Sequence, residues 1–155
     1  MNKSAILPSL TATLILAIAN MPSANAGDYE VDKSKIPDAS KKEIDFAKDI
    51  QPLIEKSCIN CHSGRRPKSR YSMETREKTI KGGSSKEKAI VDKKSDKSPL
   101  IYYISDATDD QDLWMPVVDK RDKYPKFTKE QIGLFRAWID QGAKWPEGLV
   151  LKEKD

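Results

Sequence analysis

The chain has 155 residues, room for one domain with flanking segments. Its 28 Lys and Arg stand against 24 Asp and Glu, a formal net charge of +4, and both signs are interleaved. That mild balance argues against a nucleic-acid partner. Apolar residues make up 37% and charged residues 34%, a lean supply for a protein core.

Residues 1–26 read as a secretory signal peptide: Lys3 gives the positive start, Leu7 to Ala19 the apolar stretch, and Ala24-Asn25-Ala26 the small-x-small cleavage pattern. The apolar stretch is short and interrupted by Pro8, Ser9, Thr11 and Thr13, so it does not read as a membrane span. A periplasmic or secreted protein with no integral membrane segment after cleavage is expected. An uncleaved anchor is the alternative.

Gly27 to Lys42 is polar and lacks a helical stripe, and we read 27–42 as a flexible linker. The folded domain is placed at 43–148, and 149–155 is read as a charged C-terminal tail. Phe46 to Ser57 opens the domain. Asp49 can cap a helix there, Pro52 fits its first turn, and Ile50, Leu53 and Ile54 share a face. Glu74 to Lys81 reads as a short helix capped by Thr75 and stopped by Gly82-Gly83. Ser84 to Lys97 reads as a charged loop, relieved by Ala89-Ile90-Val91.

Ser98-Pro99 opens the next helix as cap plus first-turn proline. Asp106 to Tyr124 is irregular, rich in Asp and Pro. The last helix has a Thr128/Gln131 capping box and ends at Gly142. Its residues Ile132, Leu134, Phe135, Trp138, Ile139 and Ala143 fall on one side at helical spacing. No strand with period-two alternation is evident. The fold class expected is all-α with long irregular loops.

The chemistry is concentrated in Cys58-Ile59-Asn60-Cys61-His62, which holds both cysteines and the single histidine of the chain. C-x-x-C-H is the attachment motif of c-type haem. Two thiols three positions apart reach the two vinyl groups on one haem edge, and the adjacent histidine supplies the proximal iron ligand. A structural zinc site normally takes four protein ligands, and this chain offers three Cys and His side chains in all. A thioredoxin-like pair needs a βαβ context that is missing. A Cys58–Cys61 disulfide would close a tiny loop and stabilise little.

With no second histidine, bis-His ligation within the chain is excluded. Two methionines follow the signal segment, Met73 and Met115. Met73 follows His62 closely. Met115 lies far along the chain in an irregular stretch, and Pro116 biases it to extended backbone. We therefore take Met115 as the sixth ligand, raising the potential. The alternative is a packing role for Met115, with the iron five-coordinate or bound by water or Lys. Arg65, Arg66, Lys68 and Arg70 form a basic cluster that could meet haem propionates or an acidic redox partner, or could simply be a solvated loop. Trp114, Trp138 and Trp145 are read as core or haem-wall residues rather than electron relays.

Five ordered stretches give the chain a resemblance to the planctomycete-type cytochrome c domain: Phe46 to His62, Met73 to Gly83, S-P-L-I at Ser98 to Ile101, W-M-P at Trp114 to Pro116, and A-W-I-D-Q-G-A-K-W-P at Ala137 to Pro146. The family often reads Met-Pro-Pro where Val117 here follows Pro116. Its domain commonly sits inside larger proteins, whose other activities do not carry over. The resemblance implies a class I cytochrome c-like fold around one covalent haem c on Cys58 and Cys61, with iron between His62 and Met115. It also implies that the first and last helices cross beside the haem.

The function expected is that of a monohaem one-electron carrier outside the cytoplasm, with redox proteins as partners. A haem-based sensor or ligand-binding module, or a haem accessory subunit of a larger redox complex, are the alternatives. An enzyme such as a peroxidase is not expected, because no distal histidine or other acid–base set is present.

Overall fold

The computed structural model describes residues 29–153. The signal-peptide segment 1–26 lies outside them. The described residues form four α-helices joined by 3-10 turns and irregular loops, with one π-helical turn and no strand. A single isolated antiparallel bridge joins Val31 and Thr108. Among the described residues no helix is long and apolar enough to cross a membrane. The expectation of a helical domain with long loops holds at this level.

Helix α1 spans Gln51–Ser57, with Pro52 in its first turn as expected. A π-helical turn, Phe46–Ile50, precedes it and is capped by Asp45, whose carboxylate accepts from the Ala47 and Lys48 amides. Asp49 does not cap α1. Its carboxylate accepts the Asp45 amide at 2.9 Å and Lys42 at 2.5 Å, folding the turn back on its own start. Helix α2, Arg76–Lys81, is capped by the Thr75 hydroxyl on the Lys78 amide.

Helix α3 spans Pro99–Ile104 with Ser98 at the cap position. The Ser98 hydroxyl serves the preceding loop instead, accepting the Val91 amide at 3.0 Å and donating to the Lys94 carbonyl at 2.9 Å. Helix α4, Lys129–Asp140, carries the full Thr128/Gln131 capping box. It ends where Gly142 takes φ +92°, a conformation that glycine adopts without a Cβ penalty.

The apolar face of α4 meets the N-terminal helical unit mainly through the π-helical turn. The Phe46 ring lies 5.9 Å from Trp138 and 4.3 Å from Trp145, while Phe127 packs edge-on to Phe135 at 5.4 Å. Ile50, Ile54, Ile101, Ile104 and Ile139 complete a continuous buried cluster around these rings.

The segment read as a linker is docked along its described part. Asp32 donates its amide to the Ala107 carbonyl at 2.7 Å, and Ser40 donates to the Gly133 carbonyl at 2.9 Å. Arg136 donates to the Pro37 carbonyl, and Tyr29 is buried against Tyr103. These bonds satisfy backbone groups of an extended strap, so low hydrophobicity did not leave it free. The tail is anchored in the same way. Leu151 is buried, and its amide donates to the Glu74 carbonyl at 2.8 Å.

Gly133 shows how tightly the strap lies on α4. A Cβ there would come within 2.9 Å of the Asp38 carbonyl oxygen. Gly133→Ala gains helix propensity of roughly 1 kcal/mol, yet it should lift the strap. Limited proteolysis is expected to cleave within 29–42 faster in this variant, with α4 intact.

Candidate functional site

Cys58 is the residue that ends α1, its amide bonded to the Ile54 carbonyl at 2.9 Å. The chain then curls tightly. The Cys61 and His62 amides both donate to the Cys58 carbonyl, at 3.1 and 2.9 Å. The loop that follows closes back on this turn: Lys68 donates to the Cys61 carbonyl at 2.9 Å and Met73 to the His62 carbonyl at 2.8 Å.

The His62 ring is fixed by its Nδ1, which lies 3.0 Å from the Tyr71 carbonyl oxygen. A carbonyl only accepts, so Nδ1 carries the proton and Nε2 keeps its lone pair. The Tyr71 ring stands edge-on to the imidazole at 5.2 Å, and its hydroxyl donates to the Thr79 carbonyl at 3.0 Å. Burial pushes the His62 pKa down, against the opposing backbone bonds to Tyr71 and Lys68. Ligating histidines are commonly oriented in this way, with one ring nitrogen bonded to a backbone carbonyl.

Both cysteines are free thiols. Burial, with a smaller push from Cys61, raises the Cys58 thiol to about 12. Among the described residues, no three His, Cys, Asp or Glu side chains converge on a point that could hold a metal ion.

Cys58, Cys61 and His62 line a cavity of about 340 Å³. Its walls are largely apolar, with contributions from α3 (Pro99, Leu100, Ile104), from the irregular stretch after it (Leu113, Met115, Pro116, Val117) and from the loops around Ser69 and Ser84. Met115 thus reaches the same cavity as His62 from a distant part of the chain. Its amide donates to the Tyr103 carbonyl at 2.9 Å, and the Trp114 indole donates to the Thr108 carbonyl at 3.1 Å. The Met115–Pro116 peptide is cis.

Residues 58–117 match the Planctomycete cytochrome C family. Searches of curated proteins and of solved structures returned no significant match. The planctomycete-type cytochrome c match runs from the first cysteine to the residue after Pro116, so it takes in the two stretches that frame the cavity. The flanking stretches of the sequence resemblance, Phe46 to Ser57 and Ala137 to Pro146, lie outside it.

A cytochrome c domain implies haem c. The residues present fit that group: two unpaired thiols in C-x-x-C-H spacing, an imidazole whose Nδ1 is held by the Tyr71 carbonyl, and a largely apolar cavity of ligand-binding size beside all three.

Other expectations sort cleanly by position. Of the basic cluster, only Lys68 lines the cavity, while Arg65, Arg66 and Arg70 are exposed. None of the three tryptophans lines it; Trp138 is core, and Trp145 packs against the core. Helix α4 contributes no side chain to the lining and supports the site from behind. Gly83 has its own reason: a Cβ there would meet the Ser69 carbonyl oxygen at 2.4 Å, so the loops carrying Ser69 and Ser84 can close the wall only around a glycine.

Glu74 secures the loop behind His62. It accepts from Lys78 at 2.9 Å, Ser72 at 2.9 Å and the Gly64 amide at 3.2 Å. Lys78 leads in holding its pKa below the ordinary value, assisted by Gly64 and Ser72 and opposed by burial. A carboxylate depressed on folding contributes stability above its unfolded pKa of about 4.3, and loses it as the pH falls through the lower folded value. Glu74→Gln is therefore expected to flatten the acid limb of a urea-stability profile, while lowering stability at pH 7.

Proposed function

We propose that this chain is a monohaem c-type cytochrome that carries single electrons outside the cytoplasm. The observation that supports this most strongly is that Cys58, Cys61, His62 and the distant Met115 all line one cavity. When bound, haem c supplies the one-electron ferric/ferrous chemistry. The protein's part is to bind, ligate and shield. Cys58 and Cys61 hold the group through thioethers, so a small chain keeps it without enclosing it tightly. His62 offers Nε2 to the iron, its ring oriented by the Tyr71 carbonyl.

Met115 is the residue that would supply the second protein ligand to the iron. Met73 also borders the cavity, but its amide is bonded to the His62 carbonyl and its side chain is fully buried in the core, which ties it to the proximal side. Met115 approaches on the strand of chain leaving α3. Leu100, Ile104 and Leu113 give the cavity apolar walls, and the polarity around a haem is one of the levers that sets its potential. Residues 1–26 support export, the condition under which such proteins receive their haem.

A redox titration with optical spectra tests the reading. The expected result is one reversible one-electron wave with a low-spin spectrum and an iron–Met charge-transfer band in the ferric form. Met115→Ala is expected to lose that band and to lower the potential by a sizeable part of the roughly 0.8 V that axial ligation spans. Rapid carbon monoxide binding by the unmodified ferrous protein at neutral pH, with no such band, would support a sensor instead.

A further inference from the structure

Arg121 ties the Met115–Pro116 stretch, which lines the cavity, to Asp106 just after α3, adding a side-chain link to the bond between the Met115 amide and the Tyr103 carbonyl. Its Nε donates to the Pro116 carbonyl at 3.0 Å. Its two terminal nitrogens form a fork on Asp106, at 2.9 Å to Oδ2 and 2.7 Å to Oδ1. Asp106 is itself fixed. Its side chain is nearly buried, its backbone sits at φ +53° directly after α3, and the next residue, Ala107, is pinned by bonds to Tyr102 (2.9 Å) and to Asp32 of the strap (2.7 Å). Arg121 therefore transmits the anchorage of α3 and the strap to the residue that follows Met115. Its guanidinium also lies over the Trp114 ring, 5.8 Å from the centroid, bracketing Met115 from the other side in sequence.

We propose that Arg121 is a positioning residue for Met115: by clamping Pro116 to Asp106, it sets how readily the Met115 sulfur leaves the sixth coordination position. The proposal rests on the assignment of Met115 as axial ligand. The planar fork is what makes the clamp specific, because one guanidinium satisfies two carboxylate oxygens and a carbonyl at once. A lysine offers a point charge and cannot hold all three. Lys126 contacts the same carboxylate at 2.7 Å from a half-exposed position and takes no part in the Arg121–Pro116 bond, so it serves as a control of equal charge.

The test is imidazole binding to the ferric holoprotein, which reports the fraction of molecules whose sixth position is open. An outside ligand's apparent affinity scales with that fraction. Arg121→Lys is expected to tighten imidazole binding about tenfold and to lower the reduction potential. Asp106→Asn, which tolerates the positive φ, should act in the same direction. Lys126→Ala should stay near the unmodified protein. The deciding arm repeats Arg121→Lys in a Met115→Ala background, where no sulfur remains to be positioned and no further tightening is expected. An equal tightening in both backgrounds, or imidazole affinity unchanged by Arg121→Lys in a folded protein, overturns the proposal while leaving the ligand assignment intact. If Met115→Ala alone changes neither spectrum nor affinity, the ligand assignment falls and the proposal falls with it.

Discussion

Replacing Cys58 and Cys61 together by alanine is expected to yield protein with no covalent pigment: a denaturing gel stained for haem shows no band, and the intact mass is that of the bare polypeptide. Both thiols border the same cavity and neither is committed to a disulfide, so their removal deletes the attachment chemistry without opening a cross-link. Cys58 is nearly buried, but alanine keeps its Cβ, and the backbone bonds that form the turn, Cys61 and His62 to the Cys58 carbonyl, need no side chain. The imidazole also keeps its bond to Tyr71. The variant thus separates attachment from ligation. Haem added back should bind reversibly through His62 and be extracted by acidic organic solvent, whereas the unmodified protein retains its colour.

Trp138→Ala is expected to cost about 3–5 kcal/mol of stability, measured by urea or thermal denaturation of the holoprotein. The residue is 1% exposed, its ring lies 5.9 Å from Phe46, 6.4 Å from Phe135 and 6.3 Å from Trp145, and its indole donates to the Lys144 carbonyl at 2.7 Å. Truncation leaves a void among rings that cannot all collapse into it, and it strands that carbonyl. Against a typical domain stability of about 5–15 kcal/mol the loss is severe. Because no tryptophan borders the cavity, the haem spectrum of the molecules that remain folded should be unchanged. Trp138→Phe, which refills most of the space, should recover much of the loss.

The elements legible in the sequence were those announced by side chains close to their effect. Thr75 and Thr128 cap the helices they precede, and Gly142 ends α4 in the left-handed region. C-x-x-C-H names the chemistry expected of it, and beyond residue 26 the chain holds one histidine and two methionines from which iron ligands could be drawn. What escaped notice acts through the backbone or across distance. The strap at 29–42 docks by amide and carbonyl bonds to Ala107 and Gly133, which leave no mark on side-chain pattern. Tyr71 orients His62 through its carbonyl, a group every residue has. Asp49 reads as the cap on paper, and only the geometry of the π-helical turn gives that work to Asp45.

Arg121 looks like one more charge in a polar stretch until Asp106 and Pro116 are brought to it by the loop after α3. The last helix was placed beside the haem by resemblance. In the fold its apolar face is spent on Phe46 and the buried cluster, and it reaches the cavity only through that core.

The central claim is that one haem is bonded to Cys58 and Cys61. Intact-mass spectrometry under denaturing conditions, on protein exported from cells that attach haem, tests it most directly. The account predicts a chain carrying the mass of a single haem, lost as one unit in the Cys58→Ala, Cys61→Ala variant. A folded, colourless protein at bare polypeptide mass, with both thiols open to alkylation after unfolding, would contradict it.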